Sequence, residues 1–310
     1  MTNFGWAQSA SLRGVRNRAS RLLGRDWSLA YVMLAPLAAI LVGLVASPFF
    51  SSIALSLHAK PLGGEARFVG LENFRTLLAD PVFFVVIRNT FVYTVVGVFF
   101  KFLLGVTMAL VLNQEMRFRN VVRALVLLPW SAPVVVGCFT WRWIFDDMSG
   151  LLNFLLMQVG LISRPIAWLA NPRLALWAVI LVVIWQGTPF YILNFLAGLS
   201  AIDHELYEAA AIDGAGIVQR FFHVTLPGLR QVIVVTVLLS TIWTSNDVQF
   251  VFILTHGGPA NSTMTFPMLA FAKAIQAGRL GMGATVALSF APFLVPVIVI
   301  LTLRLLRQER

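Results

Sequence analysis

Six apolar runs divide the chain, at roughly residues 29–57, 85–112, 121–145, 174–199, 229–254 and 284–306. Each is long enough to cross a bilayer, because about 20 helical residues suffice for the hydrocarbon. The segments between them differ in kind. Residues 58–84 space Phe68, Leu71, Phe74, Leu77 and Leu78 three and four apart, which predicts an amphipathic helix along the outer interface. The 146–173 segment carries Asp146, Asp147 and Trp168, an aromatic suited to a membrane boundary. The 255–283 segment opens on a Gly257-Gly258-Pro259 turn. Pro129 and Pro133 in the third run and Pro189 in the fourth each remove a helix hydrogen bond, so kinks are expected there. No internal repeat of domain-building length is visible.

Composition agrees with lipid as the solvent. Hydrophobic residues make up 59% of the 310 and charged ones only 12%, against roughly 25% in a soluble domain. The fold class expected is all-α, a polytopic membrane protein with six transmembrane helices. The net charge of +10 does not point to nucleic acid, because the basic residues gather at the chain ends and in short loops. Arg13, Arg16, Arg18, Arg21 and Arg25 precede the first run, and Arg117, Arg119 and Arg123 sit between the second and third. By the positive-inside tendency, both termini are expected in the cytoplasm. The first run is too long for a secretory signal and reads as an uncleaved span. The chain thus divides into a basic segment, 1–28, and a six-span domain, 29–310. The lone Cys138 excludes an intramolecular disulfide and reads as a buried thiol.

Catalytic patterns are missing. There is no G-x-x-x-x-G-K-[ST] phosphate loop, no G-x-S-x-G elbow and no H-E-x-x-H, and His58, His204, His223 and His256 are scattered among loops. No catalytic or metal site is expected, and an enzyme is not.

The polar stretch between the fourth and fifth runs, about 200–228, stands out. Asp203 suits the N-cap of a helix starting at His204, with Glu205 in its first turn. Gly214 suits its left-handed end. Ile217, Phe221 and Val224 form a stripe on a second short helix, and Pro227 can open the next span. Such a pair either packs on its own bundle or receives a partner. The two flanking runs carry the most polar and aromatic groups, from Trp185 to Asn194 and from Ser240 to Gln249. Those groups either join helices to one another or face a wet cavity, and Asp247 needs a partner or water if it lies within lipid.

The spacing Glu208-Ala209-Ala210, Gly214, then Val224 and Leu226-Pro227 resembles the EAA signature of bacterial ABC importer permeases. The resemblance spans nearly the whole chain and includes FVGLENF at 68–74, Asn89-Thr90, Arg123, Leu128-Pro129, Trp141, Phe145, Gly150, Asn153 and Thr255 with Gly257-Gly258-Pro259. It is similar to the carbohydrate-uptake branch, which includes maltose and glycerol-3-phosphate permeases. Val224 replaces the usual isoleucine, and Asp203 stands where proline is common.

The resemblance implies the type I ABC importer permease fold in the bacterial inner membrane. It also implies a coupling helix in which Glu208, Ala209, Ala210, Asp213 and Gly214 meet a cytoplasmic ATPase. Expected partners are a second homologous permease subunit, two copies of that ATPase, an extracytoplasmic solute-binding protein and membrane lipid. ATP and Mg would be bound by the ATPase, with no cofactor in this chain. The positions aligned with sugar contacts are Gln186, Gly187, Phe190, Ser240, Trp243, Thr244 and Asp247. Thr244 and Asp247 stand where the maltose transporter has amides, so its substrate is not carried over. The competing reading is a stand-alone ion-coupled transporter, disfavoured by the scarcity of membrane-buried acids and by the EAA loop.

Overall fold

The computed structural model describes residues 27–114 and 117–306. The basic arginines from Arg13 to Arg25 lie outside the described residues, as do Arg307 and Arg310. The chain forms two compact units, residues 1–54 and 55–310.

The first unit supplies α1 (Trp27–Leu41), a π-helical turn over Val42–Ala46 and most of α2 (Ser47–Ser56). From Ala30 to Ser56 this is 27 residues of apolar helix, long enough to cross a membrane.

The second unit opens with a two-stranded antiparallel ribbon, β1 (His58–Ala59) and β2 (Arg67–Phe68), in which His58 faces Phe68. It continues into α3 (Glu72–Ala79). The expected amphipathic helix is therefore shorter than its stripe. Phe68 is in a strand and exposed, and of the five stripe residues Leu77 alone is buried. Gly70 holds the left-handed turn ahead of the helix, and Asp80 is extended because Pro81 follows it. Asn73 in α3 donates to the carbonyls of Ser56 at 2.8 Å and His58 at 3.0 Å, fixing the helix to the ribbon.

Asp80 and Pro81 together start the second span, α4 (Pro81–Asn113). The Asp80 carboxylate accepts from the Val82 amide at 2.9 Å, and Pro81 occupies a first-turn position where its missing N–H costs nothing. At the other end, Arg119 and Arg123 donate to the Leu112 carbonyl at 3.0 and 3.3 Å. Two of the loop arginines that set the charge bias also cap this helix.

The third run is not one straight span. It consists of α5 (Arg119–Ser131) and α6 (Val134–Ile144), bent by 94°. Pro133 has no N–H to continue α5 and drives Ala132 into an extended conformation, ψ 138°. Pro129 is carried inside α5. Pro189 likewise sits inside the unbroken fourth span, α8 (Ala175–Ser200), after α7 (Leu151–Gln158). Pro133 follows a residue already leaving the helix, and Pro189 does not. In the 146–173 segment, Asn153 in α7 donates to the Ile166 carbonyl at 2.9 Å and accepts from Trp168 Nε1 at 3.0 Å. Trp168 is thus held by a side chain, which the boundary reading did not foresee.

After α9 (His204–Ile212), α10 (Ile217–Arg220), a π turn over Phe221–Thr225 and α11 (Leu226–Gly228), the fifth run also departs from expectation. It bends by 67° at Leu229, runs as α12 (Arg230–Asn246), and breaks again before α13 (Gln249–Leu254). The 255–283 segment is packed, with Met264, Phe266, Met268 and Leu269 buried in and beside α14 (Phe266–Phe271). Asn89 donates to the carbonyls of Asn261 and Met264, both at 3.1 Å, and Thr90 accepts from the Phe266 amide at 3.0 Å. The Asn89-Thr90 pair thereby anchors this segment to α4. The last long helix is α15 (Leu280–Leu306); four helices are by themselves long and apolar enough to cross a membrane, and the number is six if each bent pair, Arg119–Ser131 with Val134–Ile144 and Ile217–Gly228 with Arg230–Asn246, is one span.

Two apolar clusters hold the second unit. One gathers Tyr93, Val179, Val183, Val251 and Met268; the other gathers Val106, Ala109, Tyr191, Phe195 and Leu229. At about 25 cal/mol per Å² of apolar area removed from water, such clusters dominate a soluble fold. In lipid their contribution is packing, and the polar groups between them carry the specificity.

Candidate functional site

The third and fifth runs each contain a backbone break, and within a bilayer such irregular backbone is tolerated only around a cavity or inside protein. Both breaks border one cavity of about 470 Å³. Ala132 and Pro133 come from the first break and Asp247 from the second, while α4 contributes Tyr93 and Lys101. All seven positions named from the resemblance line it: Gln186, Gly187, Phe190, Ser240, Trp243, Thr244 and Asp247.

Each break is satisfied by a cavity residue. Gln186 Nε2 donates to the freed Ala132 carbonyl at 3.2 Å, leaving its Oε1 buried without a hydrogen-bond partner. The Asp247 carboxylate accepts from the Phe250 amide at 3.2 Å, at the start of α13. A carboxylate there is favoured by the amides of the helix N-terminus. Tyr93 OH is a second buried polar atom without a partner on this wall.

Lys101 was not singled out as a site residue from sequence, although a charge in mid-run is itself a signal. It is 4% exposed, and its ammonium donates to Thr244 Oγ1 at 2.7 Å. Its alkyl chain passes over Gly187, where an added Cβ would stand 2.6 Å from the lysine Cδ. That close approach explains the glycine. Trp130 was also missed, because it comes from α5 beside the break. Its ring lies 6.3 Å from Phe190, which lies 5.0 Å from Trp243, so three aromatic faces border the polar groups. Trp243 is 54% exposed, an open platform beside buried hydrogen-bonding groups.

The 200–228 loop has a different character. Asp203 caps α9 by accepting from the Glu205 amide at 3.0 Å, and Gly214 adopts φ +79° at its end. Glu208, Ala209, Asp213 and Gly214 are exposed and Ala210 is half-buried. Glu208 Oε1 lies 3.2 Å from His204 Nδ1. Tyr207 and Thr225 hydroxyls meet at 3.0 Å and tie α9 to the π turn. The expected stripe is only partly inward. Phe221 and Val224 are half-buried, whereas Ile217 is 86% exposed, next to Ile212 at 87%. The π turn over Phe221–Thr225 shifts the face that a regular helix would have kept.

Among the described residues, no cluster of His, Cys, Asp or Glu could hold a metal ion. On the 146–173 side, the Asp146 carboxylate accepts from the Ser149 amide and hydroxyl and the Met148 amide at 2.8, 3.0 and 3.1 Å. These bonds hold its carboxyl below the usual aspartate range.

A polar cavity bordered by two broken helical segments, in a chain with several helices apolar enough to cross a membrane, suits a membrane transport subunit. A family model described as "binding-protein-dependent transport system inner membrane component" matches residues 101–308. The chain belongs to that family. It is 35% identical over 273 residues to the trehalose/maltose transport system permease protein MalF of Thermococcus litoralis, covering 88% of this chain and 92% of that protein. Identity is 33% over 264 residues to the sulfoquinovosyl glycerol transport system permease protein SmoG of Agrobacterium fabrum, covering 84% and 85%. The fold resembles that of a chain in a bacterial ABC transporter involved in the import of the acidic polysaccharide alginate, with a TM-score of 0.78 at 21% identity, covering 94% of this chain and 100% of that one. The fold is accordingly that of type I ABC importer permeases, in a multi-pass membrane protein.

Proposed function

We propose that this chain forms one wall of the solute pathway in an ATP-driven importer of a sugar or sugar-like solute. One observation carries the reading. α8 and α12 both line the cavity, through Gln186 to Phe190 and Ser240 to Asp247, and both run directly into the loop that holds Glu208. At about 1.5 Å per residue, Asp247 stands ~25 Å along α12 from Arg230. A displacement of the loop is therefore delivered to two walls of the cavity by rigid helices.

In this reading the loop is cytoplasmic, as are both termini. Its exposed Ile212, Ile217 and Glu208 seat in a separate ATPase, which binds ATP and Mg and does the hydrolysis. A second permease chain completes the pathway, two ATPase copies drive it, and an extracytoplasmic binding protein delivers solute. The sugar class is supported by the names of the relatives and by the three aromatic faces beside hydrogen-bonding groups, which match the apolar faces and hydroxyl edges of a pyranose. The test is uptake by proteoliposomes holding this chain with its partner permease, ATPase and binding protein. Uptake of labelled sugar that needs ATP and all four components supports the reading. Uptake by this chain without the ATPase overturns it in favour of an ion-coupled carrier.

A further inference from the structure

We infer that Lys101 and Asp247 are the two ends of a charge-balanced clamp that selects a neutral, hydroxylated solute, with Lys101 a solute-binding residue. The inference rests on the solute-pathway reading above and names the class of solute for that cavity.

Lys101 is too costly to be incidental. A lysine at the centre of a membrane helix is disfavoured by roughly 3 kcal/mol even on insertion scales. Hydrophobic packing at this position would be met equally well by leucine. The protein instead makes room for the side chain at Gly187 and gives its ammonium one acceptor, Thr244 Oγ1 at 2.7 Å. An ammonium has three donors, so further acceptors are required on its open side.

Asp247 is the acid that lines the same cavity as Lys101. They do not touch. Among the described residues the ion pairs within 4.0 Å are Arg75–Glu72, His204–Glu208 and Lys273–Asp80, and Lys101–Asp247 is absent from them. Each charge is anchored on its own element, Lys101 by Thr244 of α12 and Asp247 by the Phe250 amide of α13. A closed salt bridge would have satisfied both at the expense of the cavity. Two separately anchored opposite charges leave a gap that wants a group able to accept at one end and donate at the other. A hydroxyl does both, and neighbouring hydroxyls of a sugar do so without adding net charge. An anionic solute gains at Lys101 what it loses at Asp247, and a cationic one the reverse. The unpartnered Gln186 Oε1 and Tyr93 OH on the same wall are an additional acceptor and hydroxyl for such a ligand.

The experiment uses the four-component proteoliposomes and six labelled probes: trehalose, maltose and sucrose as neutral sugars, glucuronate and galacturonate as anions, and glucosamine as a cation. A neutral sugar is expected to be carried in preference to the charged ones. Lys101→Met and Asp247→Asn are each expected to raise its KM on the order of tenfold to a hundredfold, the range for losing a hydrogen bond to a charge. The double variant should be no better than the worse single one. Lys101→Gln, which keeps a donor and drops the charge, replaces Lys101→Met if the latter fails to insert. Recovery of wild-type KM in the double variant would show an internal structural pair and overturn the clamp. Preferred uptake of a uronate or of glucosamine would overturn the neutral class while leaving the sugar permease intact. Uptake of none of the six, in a complex whose ATPase responds to its binding protein, would overturn the sugar reading and the clamp with it.

Discussion

The cavity and the 200–228 loop invert each other's use of polarity. Around the cavity four buried residues are polar, Lys101, Gln186, Ser240 and Thr244, beside the apolar Val183 and Phe250. On the loop large apolar side chains lie bare among exposed polar ones: Leu206, Ile212, Ile217, Val218 and Phe222, with none of α9 or α10 buried. Exposed leucine on a membrane span needs no partner, because lipid covers it. Apolar side chains left bare among charged ones on a short loop are a mark of a contact surface. Conversely, buried hydrogen-bonding groups with unused valences ask for a small polar ligand. The same chain thus presents one surface built to be held and one built to hold.

That contrast breaks most sharply at the residue that makes room for the lysine. Gly187→Val places branched carbon where Lys101 Cδ already lies within 2.6 Å of an added Cβ, so uptake is expected to fall at least ~100-fold at unchanged membrane insertion. Near-normal uptake kinetics would show that the cavity tolerates a displaced lysine. Next come loop variants, which should leave solute affinity alone. Glu208→Ala, and Ile217→Asp more strongly, are expected to reduce copurification of the ATPase about tenfold, since interface anchors of this kind contribute ~1–2 kcal/mol. Wild-type ATPase yield with normal transport would return the loop to a structural role.

A smaller effect is expected at the cap of α9. Asp203→Ala removes the acceptor for the Glu205 amide and should cost about 1 kcal/mol locally. Hydrogen exchange over residues 204–207 should quicken severalfold, and uniform protection would contradict it. The smallest concerns pH. The Asp146 carboxyl is held below the ordinary value near 3.8, first by the Ser149 amide, then by the Ser149 hydroxyl and the Met148 amide. A depressed carboxyl stabilises its turn above the unfolded value and loses that contribution as pH falls through the folded one. The turn should therefore persist through mildly acid conditions, with the carboxyl titrating below 3.8 when followed by NMR, and a midpoint at or above that value would remove the turn's hydrogen bonds from the account.

Much of the molecule was legible because the forces involved are local. Apolar length fixed the number of membrane-crossing segments, since the bilayer sets a minimum that any sequence must meet. Asp203 and Gly214 declared a helix start and its end through backbone chemistry that operates within a few residues. The EAA spacing pointed to the family, and seven aligned positions pointed to one wall.

Other features existed only once distant segments met. Pro133 ends a helix and Pro189 does not, although the residue is the same, because the surrounding packing decides which backbone may leave its hydrogen bonds. Gln186 could be seen as polar in an apolar run, but not that it would satisfy Ala132, 54 residues away. Lys101 meets Thr244 across 143 residues, and no periodicity links them. Chain-local patterns determine what a segment can be, because hydration, capping and helix geometry act over a turn or two. Which polar groups share a cavity is set by how the helices cross. That was decided by the tertiary structure alone.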